Sequence, residues 1–287
     1  MQNLPETTKP VEATGQVVPV IVCADDFGME PSVDEGIVEL SRLGRLSATS
    51  CLVDAPEFAQ SAATLKDLPI DLGLHLNFTE SLGLPGLFLP HGKLVALAYT
   101  RRLHVAGVRR QIDSQLDRFE RHVGRAPDFV DGHLHVHQLP VIREALVDAL
   151  VRRYPKARPW LRNTTPGTLD PALPFMQRFK PRVIAALGAA PLFKLASLAH
   201  FKFNSGFLGV YDFERSHPPY PVLLDAWLRH ATPGMLLMTH PAKRFARGVA
   251  FGTDRVEEYR TLSGEIFAAL LATYHLKVSR MTTLAEP

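Results

Sequence analysis

Residues 17–28 read VVPVIVCADDFG. The run 17–24 is continuously apolar and rich in β-branched side chains. That is the pattern of a strand buried on both faces, as in a parallel sheet. Asp25-Asp26-Phe27-Gly28 follows at once, and residues 31–43 then read as a helix. Pro31 suits its first turn, and Val33, Ile37 and Leu40 share one face. A buried strand, a polar turn and an amphipathic helix make one βα unit.

The same order recurs downstream. Strands are expected at 46–53, 71–78, 127–136, 158–163, 235–238 and 276–279. Helices are expected at 56–65 (weak), 105–123 with Gly124 as C-cap, 140–154, 221–230 and 254–271, the last opened by an Asp254/Glu257 capping box. Repeated β-then-α order argues α/β with a parallel sheet. The polar residues of interest fall at strand C-terminal ends: Asp25, Asp26, His75, His133, Arg162 and His240. Barrels and open sheets both bind at that end, but a spread over at least five strands favours closure. The expected fold is a distorted (β/α) TIM-like barrel. It forms a single domain over 17–287, after a disordered lead at 1–16, with 164–219 as an insertion or cap.

Composition narrows the class. Of 287 residues, 46% are hydrophobic and 21% charged, which excludes a mainly disordered chain. With Gly 19, Pro 23 and Cys 2, collagen-like and disulfide-scaffold classes are excluded too. The net charge is +3, and basic residues cluster only in short pairs such as Arg109-Arg110, so no nucleic-acid partner is expected. The most apolar stretch, 183–200, is interrupted by Gly188, Pro191 and Lys194, so no membrane span is expected. Residues 1–16 carry Glu6 and Glu12 and no apolar core, unlike a secretory signal. Cys23 and Cys51 read as reduced buried thiols, and a cytoplasmic location is expected. Phe175, Phe179, Phe193, Phe201, Phe203 and Phe207 read as packed core or a contact between copies, and a homodimer is left open.

Four local patterns carry chemistry. Asp25-Asp26 sets two carboxylates side by side, a repulsion that a cation or a shared proton relieves, although a turn or helix cap also favours Asp. In 71–78 the residues alternate, with Gly73, His75 and Asn77 opposite Leu72, Leu74, Leu76 and Phe78. His75 reads either as a core histidine or as a group facing a cavity. In DGHLHVH, alternation places Asp131, His133, His135 and His137 on one strand face. Six residues of strand span about 20 Å at about 3.3 Å each, so at most an adjacent pair can share an ion. His240 ends the apolar run 235–238, and Arg162, if buried, needs an anionic partner. Asp and His ligands from separate strand ends, with a spare Asp and a spare His, make the composition of a mononuclear hydrolytic metal site.

VCADDFGMEPSVDEGI, LGLHLNFTES, DFVDGHLHVHQLP and LLMTHPA, in this order, resemble the motif set of the YdjC/ChbG-type carbohydrate deacetylases (the ChbG/HpnK-like group). The resemblance implies a distorted (β/α) barrel, one divalent metal ion (magnesium or zinc), and hydrolysis of the acetamide of a small N-acetyl sugar or oligosaccharide. It implies metal binding by Asp26, His75 and His133. It also implies Asp25 as general base, oriented by Arg162, and His240 as acid to the leaving amine, with His135 or His137 as competitors. Asn77, His135 and His137 are expected to contact substrate. Another metal-dependent amidohydrolase or phosphoesterase, and a non-catalytic sugar-binding relic, remain open alternatives.

Overall fold

The computed structural model describes residues 17–213, 217–245 and 252–284; the expected disordered lead, 1–16, lies outside them. Its strands are β1 (Val18–Phe27), β2 (Ala48–Cys51), β3 (Asp71–Leu76), β4 (Phe129–Gly132), β5 (Trp160–Leu161), β6 (Phe207–Leu208), β7 (Leu236–Thr239) and β8 (Leu276–Val278). Its helices are α1 (Pro31–Arg42), α2 (Phe58–Ser61), α3 (His91–Tyr99), α4 (Val105–Val123), α5 (Ile142–Arg153), α6 (Phe175–Ala186), α7 (Ala189–Leu198), α8 (Tyr220–Leu228), α9 (Gly252–Ser263) and α10 (Glu265–Thr273).

All the strand pairs are parallel, in the order β5-β4-β3-β2-β1-β7-β6, with β8 on the lower part of β1. The sheet curls into an incomplete barrel. No ladder joins β5 to β6; isolated bridges Leu161–Phe203 and Pro166–Phe207 cross that seam. The expected α/β barrel is therefore observed, open along one edge.

Strand alternation explains where the site forms. Ile21, Cys23, Ala48, Phe129, Trp160, Phe207, Leu236 and Met238 pack together as the barrel's apolar interior. Phe129 and Trp160 stack at 4.2 Å. Gly73 faces this layer, and a Cβ there would lie 2.3 Å from the Phe129 ring, so the aromatic stack requires glycine. Two residues beyond Cys23, Ala48, Gly73, Phe129, Trp160 and Met238 come Asp25, Ser50, His75, Asp131, Arg162 and His240. With a period of two, these polar residues share the inward parity of the apolar layer and sit above it. Leu72, Leu74, Leu76 and Phe78 face the other way, into a core shared with Val108, Ile112, Leu116 and Phe119 of α4.

Three expectations are corrected. The strand expected to reach residue 136 stops at Gly132, and 133–138 forms a 3-10 turn in which Leu134 and His135 take φ of 52° and 60°. The helix expected over 254–271 starts earlier and breaks at Gly264 into α9 and α10, and Asp254 sits inside α9 rather than capping it. Residues 164–219 are more than a cap, because β6 pairs with β7 in the main sheet.

Candidate metal and catalytic site

Adjacent carboxylates on a regular strand would point to opposite faces. Here β1 changes register against β2 between Ala24 and Phe27, and Asp26 takes φ 70°. Such a bulge re-aims a side chain at the end of a strand. Asp25 keeps the inward parity of β1 and points down into the barrel, and the bulge turns Asp26 back to the rim.

Asp26 gathers two histidines from other strand ends. Its Oδ1 lies 3.2 Å from His133 Nδ1 and 3.5 Å from His75 Nε2. One ligand atom from each of Asp26, His75 and His133 lies within 4.8 Å of the others. The other oxygen, Oδ2, accepts from Arg255 Nη2 at 2.6 Å. Burial would raise the Asp26 pKa, but Arg255 and His133 hold it well below the usual carboxylate range.

His75 is aimed from behind. Its Nδ1 lies 2.7 Å from Asp131 Oδ1 and 3.0 Å from Ser50 Oγ, and Ser50 also donates to Asp131. This leaves Nε2 toward Asp26. A carboxylate behind a histidine is the usual support for a metal-binding imidazole. Burial opposes the charged ring, yet Asp131 and the other carboxylates lift its pKa to about 8. Asp131 thus serves as a support, a role that its place in DGHLHVH did not distinguish from that of ligand.

Below this group lies a buried ion-pair network. Arg162, 0% exposed, donates from Nη1 and Nη2 to the two oxygens of Asp25 at 2.7 and 2.6 Å. Its Nη2 is also 2.5 Å from Asp131 Oδ2. Cys23, Asp25 and Asp131 form a second close group of potential ligands, but the Arg162 guanidinium already contacts all three. A fork of this kind fixes a carboxylate in plane and direction.

His240 faces the same cavity. Burial, aided by Arg255, lowers its pKa to about 4, so the ring is neutral at neutral pH. Its peptide is held from both sides by α9: Glu258 accepts the His240 N–H, and Arg255 Nη1 donates to its carbonyl at 3.5 Å. Glu258 also accepts from Tyr211 Oη at 2.7 Å. The sequence reading missed Arg255 and Glu258. The signal was present, since both share a helix face with buried Leu262 at spacings of three and four.

The three histidines after Asp131 separate. His133 joins Asp26, and His135 lines the cavity with its ring edge-on to Phe207 at 5.6 Å. His137 is fully buried, with Nε2 3.1 Å from the Arg162 carbonyl, and lies outside the cavity wall. Asn77 also stays outside it. Its side chain binds the backbone of Thr79 and Glu80 and shapes the loop after β3. Asn77 and His137, expected to contact substrate, do not line this cavity. The loop after β3 takes up the polar atoms of Asn77, whereas His137 Nε2 faces the Arg162 carbonyl 25 residues along the chain.

The cavity encloses about 650 Å³. Asp25, Asp26, His75, His133, His135 and His240 form its polar end, and Met29, Leu82, Leu134, Ile184, Leu187 and Val210 line its walls. One carboxylate and two imidazoles converge on one point, each with its far atom or ring nitrogen directed by the surrounding structure or bordering the open cavity. This donor set fits a divalent ion.

Known proteins resemble this chain in sequence and in fold. The YdjC-like protein family model matches residues 19–273. A mouse (Mus musculus) carbohydrate deacetylase is 36% identical over 148 residues, covering 46% of this chain and 47% of that protein. A chitooligosaccharide deacetylase of Enterobacter sp. (strain 638) is 34% identical over 131 residues, covering 43% and 52%. The chain thus spans about half the length of the curated relatives it matches. The crystal structure of an Enterococcus faecalis V583 protein assigned to cellobiose-phosphate cleavage superposes with a TM-score of 0.67 at 20% identity, covering 94% of this chain and 100% of that one. With the match running through the strands that supply the site, the chain belongs to the YdjC-like protein family.

Proposed function

We propose that this protein hydrolyses the acetamide of an N-acetylated sugar, giving the free amine and acetate, with a divalent ion held by Asp26, His75 and His133. The observation that carries this reading is the convergence of those three residues beside an Asp25 that is clamped separately by Arg162. A bound ion would supply Lewis-acid polarisation of the amide carbonyl and of a water molecule. Two imidazoles and a carboxylate suit zinc, whereas magnesium prefers more oxygen ligands.

The chain's own groups divide the proton work. Asp25 accepts the proton of the attacking water, and the Arg162 fork keeps its carboxylate from rotating away. His240, neutral at rest, hydrogen-bonds the leaving nitrogen and relays to it the proton that Asp25 has taken. The α9 clamp on the His240 peptide holds that ring in place. His135 and the apolar walls offer a surface for the sugar, and the enclosed walls limit water at the reacting end.

The test needs two readouts on the purified protein. Metal analysis should find about one divalent ion per chain, lost in Asp26→Ala/His75→Ala. Acetate should be released from N-acetylglucosamine oligomers by the wild type and not by that variant. An absence of metal, with no thermal stabilisation by added zinc, manganese, cobalt or magnesium, overturns the proposal. Bound metal with phosphate-ester hydrolysis and no acetate release would instead favour a phosphoesterase.

A further inference from the structure

The site leaves the outward side of α6 and α7 unused. Phe175, Met176, Phe179 and Val183 on α6 and Phe193 and Leu198 on α7 are exposed, from 42% at Val183 to 77% at Leu198. Phe175 and Phe179 stack at 5.4 Å and form a ridge. Exposed apolar and aromatic side chains concentrated on two adjoining helices mark an interaction face.

Its charge is one-sided. Residues 171–211 contain no Asp or Glu, but they carry Arg178, Lys180, Arg182, Lys194 and Lys202. Lys180 turns toward Asp212, with Nζ 2.9 Å from Oδ1. Arg182 and Lys194 are exposed and have no acidic partner among the described residues. The other edge of α6 supplies Lys180 and Ile184 to the cavity wall, joined by Leu187 just past the helix, so the ridge runs beside the cavity. The two helices are bent by 44° at their junction, and among the described residues no single helix is long and apolar enough to cross a membrane.

We propose that the α6–α7 face docks on the surface of an anionic lipid bilayer. The aromatic ridge enters the headgroup boundary, and Arg182 and Lys194 lie against the phosphates. Exposed apolar and aromatic side chains beside unpaired basic ones are the pattern of an interfacial helix. A second copy of this chain fits poorly, because a two-fold contact through this face would set basic residues against their own images with no acid to meet them. Val183 and Leu198 add contact area without offering rings for base stacking, so a single-stranded nucleic acid fits poorly as well.

Co-sedimentation of the full chain with vesicles tests this. Vesicles of phosphatidylcholine with about 30% phosphatidylglycerol should bind roughly tenfold more protein than pure phosphatidylcholine, and the excess should disappear at about 1 M salt. Phe175→Ser/Phe179→Ser and Arg182→Glu/Lys194→Glu should each lose binding while keeping the wild-type melting temperature. No pelleting with the anionic vesicles, or undiminished pelleting of the Phe175→Ser/Phe179→Ser variant, overturns the proposal. So does light scattering that shows a dimer dissociated by Phe175→Ser/Phe179→Ser, which would assign the face to a second copy.

Discussion

The cavity is bordered by two kinds of surface. On one side the ends of β1 and β3 present Asp25, Asp26 and His75, with Asp131 and Arg162 buried behind them, each held by at least one buried partner. On the other side α6 and its C-cap present Ile184 and Leu187 to the cavity, and α6 presents an apolar, basic ridge to the outside. Reacting groups need placement to fractions of an ångström, which strands and paired charges provide. Surfaces that meet the rest of a substrate, or a bilayer, need area and chemistry but little angular precision. The contrast teaches that rigidity is concentrated where bonds would change.

The largest effects should follow from breaking the rigid side. Arg162→Met removes the shared cation from Asp25 and Asp131, both buried. It should destabilise the fold by about 3–5 kcal/mol, measured by denaturant unfolding. A loss below about 1 kcal/mol would mean that the carboxylates simply take up protons. Asp25→Asn should retain metal while acetate release falls roughly 10²–10⁴-fold, and unimpaired turnover would remove Asp25 from the base role.

A smaller effect tests the apolar layer beneath. Gly73→Ala drives a Cβ into the Phe129 ring and should cost about 1–3 kcal/mol. Combining it with Phe129→Leu should recover some of that loss, because the clash is with ring atoms; no recovery would locate the strain in the backbone.

A separate effect is a pH slope on the α9 side. Burial raises the Glu258 pKa to about 8 from an unfolded value near 4.5. The folded state therefore holds a proton that the unfolded state has lost across that window. The stabilisation is complete below about pH 4.5 and is lost as pH rises through about 8. Glu258→Gln can keep an acceptor for the His240 N–H and should flatten this slope between about pH 5 and 8. Parallel stability curves for the two proteins would contradict it.

Much of the site was legible because local patterns were enough. The alternation of LGLHLNF placed Gly73 and His75 inward, and the apolar run before Asp25-Asp26 placed that pair at a strand end. DGHLHVH misled because alternation continues in letters after the strand has stopped. Leu134 and His135 adopt positive φ, a backbone choice that neither side chain announces. Asn77 misled for a related reason, since an Asn that shapes a turn and an Asn that faces a cavity share one parity.

By itself, the sequence determined the βα order, the inward and outward parity of each strand, and the residue types brought to the barrel rim. Those follow from periods of two and 3.6 residues, which every backbone obeys locally. Only the tertiary structure decided which of the histidines meet Asp26, that a bulge in β1 brings Asp26 back to the cavity that Asp25 also borders, and that β6 belongs to the sheet. It also brought Arg255 onto Asp26 across 229 residues of chain. Such contacts depend on how far the barrel closes and where its turns fall, and no local period encodes either.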